Sequence, residues 1–109
     1  MKAIKMKSVN TNLANASGKK CELIKYIDSL MDDDELGQLE KNLLETIMNV
    51  LSNIEPSKDK SYHVPINDIP QLMEDSHLRR FTINVLYSKS WEFKYLDGAK
   101  EEYMISPPT

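Results

Sequence analysis

Along the last third of the chain the apolar residues fall on odd numbers: Phe81, Ile83, Val85, Tyr87, Trp91, Phe93, Tyr95, Tyr103 and Ile105. Side chains alternate faces along a strand, so a single parity means a single buried face. The pattern predicts three antiparallel strands between Arg79 and Ser106. With Ser88-Lys89-Ser90 as the first turn, Tyr87 faces Trp91, Val85 faces Phe93 and Ile83 faces Tyr95. Each such cross-strand pair contributes roughly 0.2–1 kcal/mol. The second turn contains Asp97-Gly98, a pair that favours a two-residue loop. That register would send Tyr103 and Ile105 to the polar face. An odd loop, Asp97-Gly98-Ala99 with a bulge, keeps the parity and pairs Phe93 with Tyr103, Trp91 with Ile105 and Lys94 with Glu102.

Further upstream the period changes. Leu23, Ile24, Ile27, Leu30 and Met31 recur at helical spacing and predict a short amphipathic helix over Lys20–Met31. A second helix carries Leu36, Leu39, Leu43, Leu44, Ile47, Met48, Val50, Leu51 and Ile54. It is expected to stop before Pro56, because the residue preceding a proline resists the helical conformation. Asp32-Asp33-Asp34-Glu35 offers this helix an N-cap and negative charge in its first turn, with Asp32 and Glu35 at capping-box spacing. The proline-interrupted segment from Glu55 to Gln71 reads as a loop with a brief extended piece at Tyr62–Ile66, followed by a short helical turn over Ile69–Asp75. Residues 1–19 suit either a flexible tail or an extra edge strand. The fold class that emerges is α+β: one domain over 1–109, with an N-terminal αα-hairpin packed on one face of a C-terminal three-stranded antiparallel sheet.

Composition narrows the chemistry. The chain has 109 residues, 40% of them hydrophobic and 28% charged, as in an ordinary globular domain. Its apolar runs are too short for a membrane span or a secretory signal, so a cytoplasmic protein is expected. One cysteine, Cys21, and two histidines, His63 and His77, give no metal-ligand spacing. No metal or cofactor is expected. The three glycines are far apart and form no phosphate loop. The contiguous acids of Asp32–Glu35 lack the alternate spacing of a calcium loop. The net charge of −3 does not favour nucleic acid over the whole surface, so any such binding needs a local basic patch.

The even-numbered face of the expected sheet is the remaining place for function. It would carry Arg80, Thr82, Asn84, Glu92, Lys94 and Glu102, with Leu86, Leu96 and Met104 between them and Arg79 and Tyr95 near its edges. Basic side chains and tyrosine on an open sheet suit single-stranded RNA. A solvated face crossed by ion pairs such as Lys94 with Glu102 fits the same residues.

Several local strings resemble a known family. The run Gly18-Lys19-Lys20-Cys21-Glu22-Leu23-Ile24-Lys25-Tyr26-Ile27-Asp28-Ser29-Leu30, then Leu78-Arg79-Arg80-Phe81-Thr82-Ile83, Trp91-Glu92-Phe93-Lys94-Tyr95 and Asp97-Gly98, are similar to the first helix and central strands of HigB-like members of the RelE/ParE toxin superfamily. The resemblance implies a metal-independent, ribosome-dependent endoribonuclease held inactive by an antitoxin. Under it, Arg79 or Arg80 would bind phosphate, Lys94 would support them, and Tyr95 or Tyr103 would act near the base. The sequence departs from that pattern at Glu92, in its acidic balance and in its Ile105-Ser106-Pro107-Pro108 ending. The competing expectation is a non-catalytic protein, such as an inhibitor, antitoxin-like regulator or immunity protein, that masks a protein partner.

Overall fold

The computed structural model describes residues 18–108. Two helices open it, α1 (Gly18–Leu30) and α2 (Gln38–Asn53). Strand β1 (Tyr62–Pro65) follows, then a 3-10 turn (Ile66–Asp68), a one-turn helix α3 (Gln71–Glu74) and helix α4 (Ser76–Tyr87). Strands β2 (Glu92–Asp97) and β3 (Glu101–Ser106) close the fold. The α+β class and the N-terminal helical hairpin are as the sequence predicts. Gly18 and Lys19 open α1, and the remaining positions of the expected tail or edge strand lie outside the described residues.

The hairpin forms for the reason the sequence suggests. Leu23, Ile24 and Ile27 of α1 meet Leu43, Leu44, Ile47 and Leu51 of α2, and all seven are buried. Such a one-sided stripe supplies most of a helix's stability through packing. Helix α2 gives way to an extended Ile54, two residues before Pro56. Its start differs from expectation: Gly37 is the N-cap, and its N–H donates to the Glu40 carboxylate at 2.9 Å. Asp32–Glu35 therefore lies before the helix, where Asp33 accepts from the Glu35 N–H at 2.9 Å and shapes the connecting turn.

The main correction concerns the sheet. It has three antiparallel strands in the order β1-β3-β2, but the third member is Tyr62–Pro65 and not the segment around Phe81. Ser76–Tyr87 is helical. Asp75 caps it, accepting from the N–H groups of His77 at 2.9 Å and Leu78 at 3.4 Å. Leu78, Thr82, Val85 and Leu86 then fall on one helical face and are buried, while Ile83 and Tyr87 turn outward. Ser88-Lys89-Ser90 is a turn as expected, but it joins a helix to a strand. The Ser90 N–H reaches the Tyr87 carbonyl and the Trp91 N–H the Leu86 carbonyl, each at 2.9 Å, with Ser90 at φ 66°. This is a Schellman closure, and buried Trp91 follows it as the apolar seal.

The loop of the β2–β3 hairpin has three residues, so the odd count and the shared parity hold. It is Gly98-Ala99-Lys100, which shifts the pairing by two residues: Phe93 faces Ile105, Tyr95 faces Tyr103 and Lys94 faces Met104. On β1, Tyr62 faces Ile105 and Val64 faces Tyr103. The inner face thus gathers Tyr62, Val64, Tyr103, Ile105 and Phe93 against the core.

Candidate functional site

The four residues singled out from the sequence occupy three different settings. Arg79 is half-buried on α4, and its Nη1 donates to the carbonyls of Leu72 at 2.8 Å and Met73 at 3.3 Å. These carbonyls belong to the last turn of α3, where a cation is favoured. Arg79 thereby holds α3 against α4. Arg80, one residue on and about 100° further round the helix, is exposed, and its side chain makes no hydrogen bond or ion pair among the described residues.

Lys94 and Tyr95 are neighbours on β2 and so point to opposite faces of the sheet. Lys94 is exposed on the outer face with Leu96, Met104, His63 and Glu102. There the His63 imidazole donates to the Glu102 carboxylate at 2.6 Å. Tyr95 lies on the other face, 44% exposed, and its hydroxyl donates to Glu101 at 2.5 Å. That bond holds the proton on the phenol and pushes its pKa up to about 12. The Tyr95 ring tilts against Tyr103, with centroids 5.9 Å apart, and Phe93 stacks on Tyr103 at 5.1 Å. The Tyr103 hydroxyl is buried and has no hydrogen-bond partner among the described residues; burial raises its pKa and the nearby Arg79 guanidinium opposes the shift. Arg79, Tyr95 and Tyr103 therefore approach one region, whereas Arg80 and Lys94 point elsewhere. Thr82 and Leu86, expected on the open face, are core residues.

The string Leu78–Ile83, a central strand under the toxin resemblance, is helical here. Among the described residues no group of three or more His, Cys, Asp or Glu side chains is placed to hold a metal ion. None of the described helices is long and apolar enough to cross a membrane.

A different constellation emerges on the outer surface of α4. His77, Arg80, Ile83, Asn84 and Tyr87 are exposed, and their 3–4 residue spacing lines them along one face. The side chains of Arg80 and Asn84 are unpaired among the described residues. His77 donates to Glu40 of α2 at 3.0 Å, joining the starts of the two helices. At the other end the Tyr26 and Ser88 hydroxyls are 2.7 Å apart, and the Lys89 ammonium sits 4.8 Å from the Tyr26 ring centre, tying the end of α4 to α1. From Ser76 to Trp91 there is no carboxylate, while Arg79, Arg80 and Lys89 contribute +3. The chain totals −3, so the remainder carries −6. Helix α4 with the turn after it is thus locally basic in an acidic chain. Its signal was the acid-free window after the capping Asp75, which the strand reading obscured.

No family model matches the chain, and the comparisons with curated proteins and with solved structures return no match either.

Proposed function

We propose that the protein binds double-stranded DNA through the outer face of α4. The observation that carries this reading is the contrast in charge: an acidic chain keeps one surface helix free of carboxylates, with Arg80 and Asn84 exposed on it and without side-chain partners among the described residues. An anionic ligand satisfies both features. The setting of the helix agrees. The one-turn helix α3 and the longer α4 are separated only by extended Asp75, and the outer side of α4 is exposed. Arg79 and the Asp75 cap tie α3 to the start of α4, and a firmly held helix is what a reading helix needs.

B-form DNA is the preferred duplex because its major groove admits a helix, whereas that of A-form RNA is too narrow and deep. The acidic remainder then orients the molecule: it is repelled by phosphate and leaves α4 as the face that approaches.

Fluorescence anisotropy with a labelled mixed-sequence duplex tests the reading. Binding is expected at low salt and weakens with added salt at roughly 0.9 log units per phosphate contact for each log unit of salt. Arg80→Ala is expected to weaken it. Failure to bind any duplex, together with new ribosome-dependent 5′ ends in a translated messenger, would transfer the assignment to the toxin-like reading. Failure of both would leave masking of a protein partner as the working assignment.

A further inference from the structure

We infer that α4 does more than hold the phosphate backbone: Arg80 and Asn84 form a two-residue reading unit for a guanine and an adenine in the major groove. This rests on the DNA-binding reading above and adds base specificity to it. Arg80 presents a planar fork of donors that matches the O6 and N7 acceptors of guanine. Asn84 presents one donor and one acceptor side by side, which matches the N7 and N6 groups of adenine. Both side chains are exposed and unpaired among the described residues, so neither must break an internal bond to reach a base. Arg79 lacks this freedom because its guanidinium is spent on the carbonyls of α3.

The spacing of the two side chains fits the same groove. Positions 80 and 84 are one helical turn apart on the same face, about 6 Å along the axis. Stacked base pairs are about 3.4 Å apart, so two side chains so placed address bases within about two steps of one another. The flanking residues on that face suit the same groove. Ile83 and Tyr87 offer apolar surface of the kind that meets a thymine methyl, and His77 is held back by Glu40.

The test is binding-site selection with the full-length chain from a duplex pool randomised over about twenty base pairs, repeated with Arg80→Lys and Asn84→Ala. The wild-type chain is expected to enrich a guanine and an adenine within about two base pairs, with discrimination of roughly 5- to 150-fold at each. Arg80→Lys keeps the charge but loses the fork, so it is expected to lose preference at the guanine alone and, with it, part of the affinity for the selected site. Asn84→Ala is expected to lose preference at the adenine alone. If every duplex binds equally and both variants match the wild type, base reading is overturned while DNA binding stands. If no duplex is retained by the wild-type chain, both inferences fall together. An enriched sequence whose preferences neither variant alters would assign the reading to other residues and overturn the pair.

Discussion

The outer face of α4 and the outer face of the sheet are both exposed and both polar, yet they differ in the charge they carry. On the sheet's outer face His63 meets Glu102 at 2.6 Å, and Lys94 is without a partner among the described residues. Between Glu92 and Ser106 there are four carboxylates against two lysines. On α4 there is no carboxylate, and Arg80 and Asn84 remain unpaired among the described residues. The two faces therefore differ in the sign of the charge they offer a ligand, not in exposure.

The strongest test of that contrast is a matched pair of charge reversals. Arg80→Glu places a carboxylate on the acid-free face and is expected to lower duplex affinity at low salt by at least about tenfold, the direction set by lost counterion release and added repulsion. Lys94→Glu makes the same change in net charge on the sheet and is expected to alter affinity by less than about twofold. Anisotropy titrations of both variants against one duplex decide the matter. Equal losses would mean that net charge, and not the α4 face, governs binding.

Next in size is the joint that supports the helix. Arg79→Ala removes a charged donor from two carbonyls at the end of α3, and hydrogen bonds to charged groups contribute about 1.5–3 kcal/mol. A drop of that order is expected in the stability measured by urea unfolding. Arg79→Lys restores the charge without the fork and is expected to recover only part of it. If both variants unfold like the wild type, Arg79 is not the clamp between α3 and α4.

At the opposite end of α4, Ser90 occupies the left-handed position of the Schellman turn at φ 66°. A side chain there costs up to about 1–2 kcal/mol relative to glycine. Ser90→Gly is therefore expected to raise thermal stability by a few degrees, without altering DNA binding, because the turn belongs to neither face. A fall in stability would show that the turn tolerates serine without strain.

Much of this arrangement is legible in the sequence, and the part that is not has a definite cause. The α1–α2 hairpin is fixed by a period that only a helix satisfies, with Leu43, Leu44, Ile47 and Leu51 buried and Pro56 as the stop. The parity of Phe93, Tyr103 and Ile105 survives into the real sheet, and with it the odd loop. Phe81–Tyr87 misleads because seven residues of alternating apolar character suit either element, and tertiary packing decides between them. Tyr62–Pro65 reads only as a brief extended piece because its partner β3 lies about forty residues away, and non-local pairing leaves no local trace. The candidate site was half visible for a geometric reason. Positions 80 and 84 share a parity and also lie one helical turn apart, so Arg80 and Asn84 share a face under either period. What the strand reading lost was the company they keep: Lys94 and Glu102 belong to another surface.

The smallest expected effect concerns the inner face of the sheet, beside the hairpin loop. The Tyr95 phenol, held by Glu101, titrates at about 12 against an ordinary value near 10. Glu101→Gln leaves an acceptor but removes the charge, so the phenol is expected to ionise closer to pH 10. Ultraviolet difference titration of the variant against the wild type isolates this one among the five tyrosines. The sign for stability follows from the raised value. The folded state holds the proton more tightly than the unfolded chain, so the contribution is complete below about pH 10 and is lost as the pH rises through about 12. With Gln at position 101 that alkaline loss is expected to shrink, while duplex affinity at neutral pH stays unchanged. An unaltered titration would mean that Tyr95 and Glu101 are not bonded in solution.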